Sequence, residues 1–240
     1  MSEHPILKHS LKTYKIWKNS NMKWRHKILE ITIEVLIIVF AVWITLNFER
    51  MREHQHDRKI EKEFLNAYRA DLLSDTAELK SDFAGYGYIK QSLIQLTNGN
   101  ADSIRKYVRA LNNLIQFIPN SSRFEALKNS GQLHVIRNHD LLSEIIDLYQ
   151  HKIAGLQIFG TDPYISYYSN HFLPFLENYS TKDEYGNYTN IEKVLQMNFA
   201  KNYLKSRIGL IDAITAHYDL VIRQCEKILI MINAELGNNK

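Results

Sequence analysis

The sequence predicts an all-α protein: one N-terminal transmembrane helix continuing into an elongated extracytoplasmic helical bundle. Three observations lead there. The stretch from Ile28 to Phe48, ILEITIEVLIIVFAVWITLNF, has no polar residue between Val35 and Ile44, and nothing else in the chain is as apolar for as long. Residues 204–236 carry apolar side chains in alternating steps of four and three, the signature of a sustained helical seam. Period-two alternation bounded by turn residues, the mark of strands, is scarce.

The span comes first. A helix rises about 1.5 Å per residue, so Ile31 to Phe48 covers roughly 27 Å, close to the ~30 Å hydrocarbon core of a bilayer. Two acids, Glu30 and Glu34, lie four apart near its start and share a face. A carboxylate at the bilayer centre costs roughly 2.5–3.5 kcal/mol, and Glu34, about one turn inside, should cost less. Residues 1–27 hold Lys8, Lys12, Lys15, Lys18, Lys23, Arg25 and Lys27 against the single acid Glu3, and the downstream flank is less basic. That bias places the N-terminus in the cytoplasm. No small-residue cleavage site follows the apolar run, so an uncleaved signal anchor is expected. The chain then divides into a basic cytoplasmic tail (1–27), a transmembrane helix (28–48) and an extracytoplasmic helical domain (49–240), in a single-pass inner-membrane arrangement with that domain in the periplasm.

In the tail, Leu7, Leu11, Tyr14 and Trp17 fall on one side of a helical wheel and Lys8, Lys12 and Lys15 on another, which suits a short interfacial helix. Beyond Phe48 no Pro or Gly occurs before Gly85, and Ile60, Phe64, Tyr68 and Leu72 recur at four-residue steps. The helix should therefore continue to about residue 82, with a bend at Gly85 and Gly87 and a short helix to Thr97. Asn98-Gly99-Asn100 signals a turn, Asp102 or Ser103 can cap a helix to about Phe117, and Pro119 ends it. Ser121-Ser122 can cap the short RFEALKNSG helix, with Gly131 as its stop. Asn138 or Asp140 should cap a helix from about Leu141 to Ile158. Pro163 and Pro174 bracket the aromatic piece YISYYSNHF. STKDEYGNYTN, residues 180–190, reads as a polar loop with a small hairpin at Tyr185-Gly186-Asn187-Tyr188. In the last helix, Leu204, Ile208, Ile211, Thr215, Tyr218, Ile222, Cys225, Leu229, Ile232 and Leu236 form the seam, widened by Ile214, Val221 and Ile228, and this helix can lie antiparallel to the first.

Charge narrows the function classes. The 240 residues carry a net +4, but the excess sits in the N-terminal tail; residues 49–240 hold as many acidic as basic side chains. The excess fits anionic lipid heads, and no basic stripe with interleaved aromatics points to nucleic acid. Cys225 is the only cysteine, so no intrachain disulfide forms, and its place on an apolar face reads as a small buried hydrophobe. The Asn-x-Ser/Thr triplets at Asn120, Asn178 and Asn187 would matter only in a eukaryotic secretory pathway. His54 and His56 are two apart, so on a helix they point away from one another and cannot share a metal. His139-Asp140 reads as part of a helix cap. Zinc-protease, phosphate-loop, dinucleotide and nucleophile-elbow motifs are absent. No enzyme activity, cofactor or metal is therefore expected, and Ser130-Gly131 with Arg137-Asn138 is the best local candidate for a recognition feature.

Two stretches resemble a family of uncharacterised one-span proteins of Bacteroidota, a domain-of-unknown-function family. In the first, the apolar stretch that ends in ITLNFERMREHQHDRKIEKEFLNAYRADLLSDTAELKSD, the residues Glu30, Asn47, Glu49, Asp71 and Leu72 occupy the places of the family's opening acid, closing Asn-Glu element and late Asp-Leu. The second, FEALKNSGQLHVIRNHDLLSEIIDLYQ, is similar at Leu127, Ser130, Gly131, Leu133, Asn138, Leu141 and Tyr149, and the closing ILIMINAEL also matches. This chain lacks the Gly before Glu30 and carries Phe48 or a neighbour where a Trp is usual. The resemblance covers most of residues 25–236. It implies an inner-membrane protein of a Gram-negative bacterium and brings no catalytic residues to carry over.

The expected function is a membrane-anchored periplasmic helical interaction or scaffold module whose partners are the lipid bilayer and a protein partner or a second copy of itself. Two alternatives stand beside it. One is a single-span subunit of an ion-driven or transport assembly in which Glu30 and Glu34 exchange protons. The other is a ligand-sensing bundle, or an enzyme, using the tyrosine-rich region from Tyr164 to Tyr188.

Overall fold

The structure is a computed structural model and describes residues 24–99, 101–156, 158 and 162–237. The expected interfacial helix of the tail lies outside the described residues. All regular structure among them is helical; extended backbone pairs only at the isolated antiparallel bridge between Lys182 and Tyr188. The first helix, α1, is Trp24–Thr97. The chain divides into two compact units, Met1–Ile60 and Glu61–Lys240.

In the first unit the apolar turns of α1 stay uncovered. Val35, Leu36, Val39, Phe40, Trp43 and Phe48 are all more than half exposed, and only 6 % of the most apolar window is buried inside the protein. The core helix of a water-soluble domain would be mostly buried. The polar side chains here turn back on their own helix: Thr32 Oγ1 donates to the Ile28 carbonyl, Thr45 Oγ1 to Ala41, and Asn47 Nδ2 to Trp43 at 2.7 Å. Such i−4 bonds leave few side-chain donors facing outward. This is one helix long and apolar enough to cross a membrane.

The second unit is built on two long helices, the remainder of α1 and the C-terminal helix, α8, Asn198–Glu235. They run antiparallel, as expected. Arg69 Nε donates to Asn233 Oδ1, Lys80 pairs with Glu226, Tyr86 meets Tyr218 edge-on, and Lys90 pairs with Asp212, so partners ascend on one helix as they descend on the other. The buried face of α8 repeats in steps of four and three through Arg207, Ile211, Ile214, Tyr218, Val221, Cys225, Ile228 and Ile232. Leu204, Ile211, Tyr218, Ile222, Cys225 and Ile232 of the expected seam are buried, Ile208, Thr215 and Leu229 lie at its flank, and Ile214, Val221 and Ile228, expected to widen it, are buried within it. Cys225 is buried among them, and burial pushes its thiol up to about 12.

Helix α1 runs through Gly85 and Gly87 to Thr97 without the expected bend. Gly85 serves packing instead, since a Cβ there would stand 2.5 Å from Ile115 Cδ1. Ile115 belongs to the irregular stretch 113–121, where a continued helix to Phe117 was expected. The helix actually formed is α2, Ala101–Tyr107, followed by a 3₁₀ turn, Val108–Leu111. The irregular backbone is held by side chains of the two long helices. Asp75 accepts from the Asn120 backbone N–H at 3.1 Å and from its Nδ2, and Tyr86 Oη donates to the Ile115 carbonyl at 2.6 Å. From α8, Tyr203 Oη donates to the Leu111 carbonyl and the buried Arg207 Nη2 to that of Asn113 at 2.7 Å. Buried backbone groups must be paired, and here side chains supply what a helix would have supplied internally.

Helix α3, Ser122–Asn129, stops at Gly131, whose φ of 72° is the left-handed conformation a helix stop requires. LHVI becomes part of a 3₁₀ turn, Gln132–Val135. Asn138 rather than Asp140 caps α4, His139–Asp147, accepting from the Leu141 N–H at 3.0 Å, and it also donates to Glu235. The fully buried Glu61 accepts from the Arg137 N–H. Helix α4 passes into a π-helical turn, Leu148–Ile153, and a last α-turn, Ala154–Leu156. The buried positions Leu141, Ile145 and Leu148 are followed by Ile153, five residues on, as the wider turn demands. His217 Nε2 donates to the Lys152 carbonyl within this turn at 2.8 Å.

Pro163 and Pro174 lie inside helical structure instead of bracketing it. Helix α5, Asp162–Tyr167, continues through a second π turn, Tyr168–Phe172, into α6, Leu173–Tyr179. Pro174 sits at the start of α6, where the widened turn before it tolerates its missing N–H. A loop and the short helix α7, Ile191–Leu195, lead into α8.

Two outcomes test this packing in the full-length chain. Gly87 has open space at its Cβ, so Gly87→Ala should stabilise by about 0.5–1 kcal/mol in denaturant unfolding, whereas Gly85→Ala should gain less because Ile115 must move. Asp75→Ala leaves the Asn120 N–H without its acceptor and should cost about 1–3 kcal/mol. Burial raises the Asp75 carboxyl, so the native state keeps its proton to higher pH than the unfolded chain does. Stability should therefore rise as pH falls through that raised value toward ~4, and Asp75→Asn should remove this part of the slope.

Candidate functional site

Two places carry candidate chemistry. The first is the apolar stretch with Glu30 and Glu34. Glu34 is 5 % exposed while its neighbours Ile33 and Val35 are 49 % and 51 % exposed, so the acid is sheltered on a face it shares with the partly covered Ile31 and Ile38. The backbone of Glu30 lies within α1, four residues earlier, and its side chain lies outside what the structure describes.

The second is a cleft of about 370 Å³ in the Glu61–Lys240 unit. One wall is α2 and its 3₁₀ extension, which present Arg105, Val108, Arg109, Leu111 and Asn112. Tyr168, from the π turn, and Leu176, from α6, form another side, and Gly186, Asn187, Tyr188 and Ile191 close it. The aromatic piece is fastened to the start of α8 by stacked rings, Phe172 on Tyr203 at 3.6 Å and Phe175 against Phe199 at 4.6 Å. Tyr203 also anchors the Leu111 carbonyl, so one side chain braces two walls.

The 180–190 loop is pinned from within. Asp183 Oδ1 accepts from the backbone N–H groups of Tyr185 and Asn187 at 3.0 and 2.8 Å, and Oδ2 accepts from Asn187 Nδ2. These bonds, the Asn187 N–H first, hold the Asp183 carboxyl below the usual carboxylate range. Thr181 and Thr189 bond across the loop, and the expected hairpin reduces to the Lys182–Tyr188 bridge. Glu177 is occupied too: it pairs with Lys182 at 2.6 Å and accepts from Tyr188 Oη at 3.1 Å, which lowers its carboxyl and raises the Lys182 ammonium. Glu177 and Asp183 are thus engaged within this loop and its neighbouring helix. Arg105 and Arg109, one turn apart on the wall, have no acid partner among the described residues. The arrangement can neutralise an anionic group above an apolar floor.

The other sequence candidates fall elsewhere. Ser130-Gly131 and Arg137-Asn138 make a helix stop and a helix cap. His54 and His56 lie exposed in the first unit, and no group of three or more His, Cys, Asp or Glu side chains converges among the described residues. Tyr168 and Tyr188 come from the tyrosine-rich region singled out in the sequence, but Arg105 and Arg109 were missed. Their signal was a pair of arginines at i and i+4, common on solvated helices, and only the folded loop shows what faces them.

Compared with known proteins, the chain matches no family model, no curated protein and no solved structure.

Proposed function

We propose that the protein is a membrane-anchored helical interaction or scaffold module of a bacterial inner membrane, with its N-terminus in the cytoplasm and its bundle in the periplasm. The observation that carries this reading is the bare apolar stretch of α1, continuous through Ile31–Phe48 and scarcely covered by the protein's own atoms. The lysines and arginines of residues 1–27 support the orientation. The resemblance to one-span proteins of Bacteroidota supports the compartment. Binding rather than catalysis fits the second unit, where several charged side chains pair with one another at the helix surfaces: Asp71 with Arg123, Glu144 with Lys227 and Glu226 with Lys80. Its partner is a protein or a second copy of the chain.

Alkaline carbonate washing of cell membranes should leave the full-length protein in the pellet, and a periplasm-active reporter fused after Lys240 should be active. Val39→Asp puts a carboxylate mid-span at a cost of roughly 2.5–3.5 kcal/mol and should shift a large share of the protein into the wash. Wild-type protein released by carbonate, or a fusion active only in the cytosol, would contradict the reading. Crosslinking in intact membranes that yields neither a dimer nor a reproducible heteromer would contradict its interaction part.

A further inference from the structure

We propose that the cleft between the Arg105–Asn112 wall and the 180–190 loop binds a small organic anion, an acidic head carried on an apolar or aromatic body. This goes beyond the anchored-module reading and does not depend on it, since every group involved lies in the Glu61–Lys240 unit.

Charge is the first reason. The other arginines of this unit with printed contacts are engaged: Arg69 with Asn233, Arg123 with Asp71, Arg207 with the Asn113 carbonyl and Arg223 with Asp219. Arg105 and Arg109 line a concave surface with no acid paired to either among the described residues. Of the carboxylates around the cleft, Glu177 and Asp183 are bound by Lys182, Tyr188 and the loop backbone, and none of the others, Asp102, Glu184 and Glu192, forms an ion pair with either arginine. Guanidinium groups one turn apart match the oxygens of a carboxylate or phosphate, which they can grip through paired N–H donors.

Shape is the second reason. A volume of about 370 Å³ lies within the ordinary range for small-molecule sites. Leu176 and Ile191 give it an apolar floor, and Tyr168 and Tyr188 bring aromatic rings to its sides. Free inorganic phosphate would leave that floor in water, so an apolar body should add affinity. The walls are preformed: the loop is pinned by Asp183, and the π turn that carries Tyr168 is stacked onto α8 through Phe172 and Tyr203. Preorganised walls spare the ordering cost of binding.

The test is calorimetric titration of the full-length protein in neutral detergent. Phenyl phosphate and benzoate are the whole probes, inorganic phosphate the head alone and benzyl alcohol the body alone. At least one whole probe should saturate a single site, roughly ten-fold or more tighter than head or body alone, and added salt should weaken it. Which of the two binds better tells a phosphate site from a carboxylate site. The double variant Arg105→Gln/Arg109→Gln should lose roughly ten-fold in affinity with an unchanged thermal midpoint, because both side chains are exposed and without acid partners. If the variant fails to fold, the salt dependence and the comparison of whole, head and body probes in the wild type still decide. No saturation by either whole probe up to about 10 mM, equal binding by a folded double variant, or benzyl alcohol binding as tightly as the anions would each overturn the proposal.

Discussion

An apolar helical surface that the protein does not cover must be covered by something else, and that constraint governs the first of the two units. Burying one large aliphatic or aromatic side chain is worth about 1.5–3 kcal/mol. Val35, Leu36, Ile37, Val39, Phe40, Val42, Trp43, Leu46 and Phe48 are each about half exposed or more. At about half exposure each, their combined hydration cost is roughly 7–15 kcal/mol, as large as the ~5–15 kcal/mol that holds an ordinary domain folded. A bilayer removes the cost without asking anything of the bundle. The self-satisfied Thr32, Thr45 and Asn47 fit that solvent, because hydrocarbon offers no partner to a donor left pointing outward.

The Glu61–Lys240 unit solves a different problem. Two antiparallel helices bury an apolar seam, yet the irregular stretch 113–121 lies against them. Asp75 and Tyr86 from one helix, and Tyr203 and Arg207 from the other, bond this stretch at Asn120, Ile115, Leu111 and Asn113. Gly85 lets Ile115 come close. Because the same stretch begins where the cleft ends, the side chains that fix it also fix the wall bearing Arg105 and Arg109. Buried polar residues on the seam, Arg207 above all, therefore serve local architecture and the site together.

Periodicity made the helices legible, and chemistry that bends periodicity did not show. The first helix, the final helix and their antiparallel pairing follow from long runs, one apolar throughout its early part and the other of a single period, where many residues vote together. Gly85 read as a bend because a helical glycine for close approach and one for flexibility look alike until the neighbour, Ile115, is known. The helix expected to reach Phe117 ended at Leu111, since the side chains that satisfy the freed backbone come from positions far along the chain. Both π turns were invisible for a related reason: one extra residue shifts the buried pattern from four to five, as from Leu148 to Ile153, and a seam read at a fixed step passes over it. Half of the cleft, Tyr168 and Tyr188, lay in a region the sequence marked by composition, and the arginine half needed the fold.

The most direct measurement is thiol accessibility in sealed membrane vesicles. Single cysteines are placed at Val39, mid-stretch, and at Asp57, beyond it, and challenged with a membrane-impermeant maleimide. Cys225 adds little background, being buried with its thiol pushed up to about 12. A stretch embedded in lipid leaves the Val39→Cys protein unlabelled until detergent is added, while the Asp57→Cys protein labels from the periplasmic side. Equal labelling of both in intact vesicles would mean that water reaches the apolar helix and that no bilayer surrounds it.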